Sequence, residues 1–81
     1  MEEVRIEELL ATINELLEKK DYRGLKKELA EIYPMDIAEI FEEMSEENCV
    51  ILFRLLHKDL AAEVFSYLTA NQRKSIVSAI H

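Results

Sequence analysis

The sequence repeats itself at a shift of 24 positions, and no other feature restricts its fold as tightly. Ala38-Glu39-Ile40-Phe41 falls on Ala62-Glu63-Val64-Phe65 without a gap. The correspondence continues with Met44 on Leu68, Ser45 on Thr69, Asn48 on Gln72, Leu52 on Ile76, Phe53 on Val77, Leu56 on Ile80 and His57 on His81. A fainter copy stands one period earlier, where Leu16, Leu17, Asp21, Leu29, Ile32 and Tyr33 precede Ile40, Phe41, Ser45, Phe53, Leu56 and His57.

Within each period the apolar residues recur at helical spacing. Ile6, Leu9, Leu10, Ile13, Leu16 and Leu17 form the stripe of a first helix. Asp21 caps a second, with Tyr22, Leu25, Leu29 and Ile32 inward and Gly24 weakening its first turn. Pro34 opens a third helix running to Met44, with Asp36 complementing the helix dipole and Ile37, Ile40, Phe41 and Met44 on its apolar face. Ser45 caps a fourth, in which Cys49, Val50, Ile51, Leu52, Phe53, Leu55 and Leu56 leave little polar surface, so it is expected to be the most buried. A fifth runs from about Lys58 to Leu68 with Leu60, Ala61, Val64, Phe65 and Leu68 inward. Thr69 and Gln72 form a capping-box signature for a sixth, striped by Ile76, Val77 and Ile80.

One glycine and one proline among 81 residues leave little material for β-turns or flexible linkers, so the fold class is all-α with about six helices. Connections of one to three residues make each helix fold back on its predecessor. A lone hairpin leaves its stripe in water, whereas stacked hairpins share one continuous core, which gives a short α-superhelix, or solenoid. The units are expected at about 9–32 (degenerate), 33–56 and 57–81, within a single domain covering 1–81. An ordinary six-helix bundle is the plainer alternative, but it has no reason to hold caps and core residues in one register.

The net charge of −7 opposes a phosphate backbone, and the doublets Lys19-Lys20 and Lys26-Lys27 have acidic neighbours, so nucleic acid is not an expected partner. The single cysteine, Cys49, excludes an intrachain disulfide and lies in an apolar run, where a small buried thiol in a reducing cytosol is expected. That run, Cys49 to Phe53, falls far short of the roughly 20 residues needed to span a bilayer. No signal peptide is expected at its start.

Catalytic chemistry finds little purchase. Ser45 and Thr69 read as helix caps, and Ser66, Ser75 and Ser78 lie inside helices without a nucleophile turn. His57 and His81 share a repeat position but lack a further ligand at metal spacing, so His57 is expected to start a helix instead. A single glycine excludes nucleotide-binding loops. Acidity remains: between Glu28 and Phe53 stand eight carboxylates and no Lys or Arg. Asp36, Glu39, Glu42, Glu43, Glu46 and Glu47 crowd the third helix and its corner with the fourth, a surface that can gather Mg²⁺ weakly without a formed cage. The plain alternative is a solvated, solubilising face.

The segment Tyr33-Pro34-Met35-Asp36-Ile37-Ala38-Glu39-Ile40-Phe41-Glu42-Glu43-Met44, followed by Phe53-Arg54-Leu55-Leu56 and Leu60-Ala61-Ala62-Glu63-Val64-Phe65, resembles the intracellular N domain of MgtE-family magnesium transporters. The resemblance covers about residues 30 to 81 well and the first helix pair loosely. It implies a right-handed superhelix on the cytoplasmic side, followed in the family by a pair of CBS domains, a connecting helix and a dimeric transmembrane Mg²⁺ channel. It further implies a regulatory role, in which Mg²⁺ bound between acidic surfaces closes the channel, with homodimerisation left open. The family's Mg²⁺ ligands do not transfer residue by residue, so the six carboxylates rest on charge clustering alone. Without CBS domains or membrane helices, these residues are expected to be an excised fragment or a stand-alone relative, without channel activity. Short helical repeats of the FliG type offer a second class, an assembly adaptor with no ion-sensing role.

Overall fold

Helix boundaries follow from capping chemistry that recurs every 24 residues. Asp21, Ser45 and Thr69 each accept a backbone N–H three residues on: Gly24 N to Asp21 Oδ1 at 2.9 Å, Asn48 N to Ser45 Oγ at 3.1 Å and Gln72 N to Thr69 Oγ1 at 3.2 Å. Gln72 Oε1 reaches back to accept from Thr69 N at 2.9 Å, closing the expected capping box. Preceding turns match as well, since Lys20, Met44 and Leu68 donate their amides to Leu17, Phe41 and Phe65.

The structure, a computed structural model, describes the backbone of residues 2–80 and the side chains of residues 5–80. Six helices appear among them: α1 (Glu2–Glu18), α2 (Tyr22–Leu29), α3 (Pro34–Glu42), α4 (Glu46–Leu55), α5 (Lys58–Tyr67) and α6 (Ala70–Ile80). No strand forms among the described residues. Four residues, 30–33, join α2 to α3, one more than the longest connection expected, because α2 stops at Leu29 and Ile32 packs from the loop.

Equivalent helices of successive hairpins pack on one another: α1 on α3 and α3 on α5 in one row, α2 on α4 and α4 on α6 in the other. Two rows of stacked helices make the superhelix, and three hairpins make a body of 31 × 27 × 22 Å, too short to be elongated. Between the rows lies one apolar core containing Ile13, Leu25, Leu29, Ile37, Ile40, Phe41, Leu52, Val64 and Ile76. Among the described residues, no charged or polar side chain is buried.

Three expectations need correction. The most buried helix is α3, with Ile37, Ala38, Ile40 and Phe41 inside, rather than α4, where only Cys49 and Leu52 are buried. Apolar residues wrap around α4, and a helix can turn only one stripe to the core, so Val50, Ile51, Phe53 and Leu55 are half-covered. Tyr22 is exposed, because the stripe of α2 runs off the core at the helix's first residue. On α6 only Ile76 is buried, while Val77 and Ile80 face outward at the end of the stack.

Gly24 has a more specific role than a weak start. A Cβ there would stand 2.6 Å from Asp21 Oδ2, so glycine leaves room for the aspartate cap, whereas the shorter Ser45 and Thr69 caps sit opposite Asn48 and Gln72. At the preceding corner Lys20 takes the left-handed conformation with φ 57°. Its amide donates to Leu17 O, and that of Asp21 to Leu16 O, each at 3.0 Å, the paired bonds of a Schellman ending.

Candidate functional site

The acidic face runs from the start of α3, past its C-terminal end at Glu42 and Glu43, to the start of α4. Pro34 opens α3 behind the extended Tyr33, which supplies no side-chain cap, and Asp36 in that first turn is half-buried against the positive end of the helix. Ser45 caps α4, and Glu46 and Glu47 fill its first turn, where the same dipole favours negative charge. Glu39, Glu42, Glu43, Glu46 and Glu47 are all exposed, as solvated carboxylates should be.

Helical geometry divides these six residues instead of converging them. Glu39 and Glu43, one turn apart, line a groove of about 440 Å³ between α1 and α3, together with Ile6, Glu7 and Leu10. Glu42 and Glu46 border a smaller cavity under α6. Glu47 shares a shallow depression with Lys74 across α4 and α6, and Glu46 reaches its edge as well. Asp36 lies in none of these three hollows. Among the described residues, no group of three or more His, Cys, Asp or Glu side chains lies close enough to hold a metal ion. The face is therefore a field of separated negative charges, and among the described residues the ion pair between Lys19 and Glu15, at 3.2 Å, is the only one.

The remaining chemistry-bearing residues are occupied structurally. His57 Nδ1 accepts the Leu60 amide at 3.4 Å and so starts α5, while His81 lies outside the described residues. Cys49 is buried, its thiol donates to Phe41 O at 3.2 Å, and its pKa is pushed up to about 11 by burial and then by the nearby Glu46 carboxylate. A thiol held protonated in this way is a poor nucleophile. Ser66 Oγ turns back to Glu63 O at 2.7 Å, and Ser75 Oγ donates to Glu46 Oε2 at 3.1 Å.

Two contributors escaped the sequence reading. Glu7 joins Glu39 and Glu43 only because α1 stacks on α3, a neighbour relation that the weak first repeat did not reveal at residue level. Arg73 stands 5.6 Å from the Phe65 ring centroid and donates to Phe65 O and Ser66 O at 3.1 and 3.0 Å, closing the C-terminal end of α5. Its signal was available, since Arg73 falls 24 residues after Cys49, on the same face of the repeat.

Stacked two-helix units with a dispersed acidic face define a helical-repeat domain whose charge sits on its surface. The chain belongs to the MgtE family: the MgtE intracellular N domain matches residues 32–81. The magnesium transporter MgtE of Thermus thermophilus is 34% identical over 67 residues, covering 83% of this chain and 15% of that protein. The chain thus spans less than a fifth of its relative's length. No solved structure matches it. Among the described residues, no helix is long and apolar enough to cross a membrane.

Proposed function

We propose that this chain is a cytosolic regulatory domain of a magnesium transporter and contributes an acidic surface to Mg²⁺-dependent gating. The observation that carries this reading is the run of eight carboxylates without a Lys or Arg between Glu28 and Phe53, five of them exposed in α3, α4 and their corner. Like charges on such a face repel a second acidic surface, here that of a CBS pair or connecting helix, until a divalent cation screens them. Mg²⁺ keeps much of its water and binds through one or two carboxylates, so dispersed residues serve as one half of a shared site. Asp36, Glu39, Glu42, Glu43, Glu46 and Glu47 supply that half, and the domain performs no catalysis. Units at about 9–32, 33–56 and 57–81 act as one rigid body in this reading.

The exposed apolar residues Tyr67, Val77 and Ile80 at the end of the stack favour a second reading, a FliG-like assembly adaptor that binds by shape. An NMR titration separates the two. Millimolar Mg²⁺ should shift the amides from Asp36 to Glu47, and NaCl at matched ionic strength should not reproduce the pattern. Identical shifts from both salts would remove the ion-sensing role and leave the adaptor.

A further inference from the structure

We propose that the cavity between α3, α4 and α6 receives one arginine side chain projecting from a partner protein. The cavity measures about 210 Å³, with Phe41, Met44, Cys49 and Ile76 as its apolar floor. Glu42 and Glu46 stand at its rim, and Ser75 Oγ holds one Glu46 oxygen at 3.1 Å. No Lys or Arg lines it, so the two carboxylates, with Gln72 and Ser75 beside them, border the apolar residues with no cation of the chain's own in the lining. A hydrocarbon stem carrying a cationic head matches that arrangement, stem against the floor and head between the carboxylates.

The repeat supplies an internal template for the occupant. One period later, Phe65 takes the place of Phe41 and Arg73 that of Cys49. There the guanidinium lies over the Phe65 ring and donates to Phe65 O, the carbonyl equivalent to the one that accepts from the Cys49 thiol. Glu42 and Glu46 correspond to Ser66 and Ala70. The rim carboxylates are thus present in the unit that lacks its own arginine and absent in the unit that has one. Phe41 is itself covered, so here the guanidinium is held by the rim alone: a cationic head supplied from outside pairs with Glu42 and Glu46, while its stem lies along the half-buried Met44. This inference shares Glu42 and Glu46 with the magnesium reading but differs from it in what they bind, a planar cation on a stem in place of a hydrated ion.

The test is an NMR titration of the ¹⁵N-labelled 81-residue chain with N-acetyl-arginine amide, its neutral isostere N-acetyl-citrulline amide, and N-acetyl-lysine amide. The arginine probe should give saturable shifts centred on Glu42, Cys49, Ser75 and Ile76, with citrulline binding at least about fivefold more weakly. E42Q/E46Q, which alters two exposed side chains, should weaken arginine binding by about tenfold while leaving the spectrum dispersed. Equal binding of arginine and citrulline would overturn the proposal. So would shifts at Glu7, Glu39 and Glu43 as large as those at the cavity, or a lysine probe binding as tightly as arginine.

Discussion

The hairpins α3–α4 and α5–α6 carry the same pattern of residues and differ in what covers them. Phe41 is 1% exposed, whereas its counterpart Phe65 is half-buried. Leu56 is 9% exposed and its counterpart Ile80 45%. The central hairpin is sandwiched, with α3 between α1 and α5 and α4 between α2 and α6, while α5–α6 packs on one side only. Burial in a stack is thus a property of neighbours, so equivalent side chains contribute unequally to stability.

The sharpest way to break this comparison is to truncate the two phenylalanines. Phe41→Ala should cost about 3–5 kcal/mol in urea denaturation, since it empties a fully enclosed site. Phe65→Ala should cost roughly 1–2 kcal/mol, because its ring is already partly in solvent and the loss is confined mainly to its contacts with the Phe53 ring and the Arg73 guanidinium. Equal losses would mean that the two hairpins are covered alike.

Cys49 and Arg73 extend the comparison to pH. With its pKa raised from 9.0 to about 11 in the folded chain, the Cys49 thiol keeps its proton where the unfolded thiol has lost it. Unfolding therefore releases a proton, and this group's contribution, complete below pH 9.0, falls away as pH rises toward 11. The urea midpoint should drop across that window more steeply in the parent chain than in Cys49→Ala. Parallel profiles for the two would show the thiol to be unburied.

The smallest effect is expected at the corners. Lys20, Met44 and Leu68 occupy one repeat position and make the same backbone hydrogen bond, yet among the described non-glycine residues Lys20 alone has positive φ. Lys20→Gly should stabilise the chain by about 1 kcal/mol, while Leu68→Gly, which also gives up a buried side chain, should destabilise it. Thermal denaturation of both variants checks the opposite signs.

Much of this was legible because caps and stripes are local. Asp21, Ser45, His57 and Thr69 start helices where the sequence placed them, and the stripe of α3 faces the core as its spacing requires. Which stripes are covered was not legible: Val77 and Ile80 carry the same periodicity as Phe53 and Leu56 but stand at the end of the stack. The apolar richness of α4 misled for a related reason, since composition counts residues around a helix and burial depends on one face. Carboxylate clustering read along the chain did not predict the division of Glu39 and Glu43 from Glu42 and Glu46, because successive turns of α3 and α4 point toward different neighbours. Arg73 over Phe65 required the repeat to be followed through a position where the residue type changes.

Native-state hydrogen exchange, read amide by amide, addresses the stack most directly. Amides inside α3 and α4 should exchange only through global unfolding, and those from Ser75 onward in α6 should exchange through local opening at markedly lower free energy. Uniform protection from α3 through α6 would contradict the account, since it would require the last hairpin to be as well enclosed as the one before it.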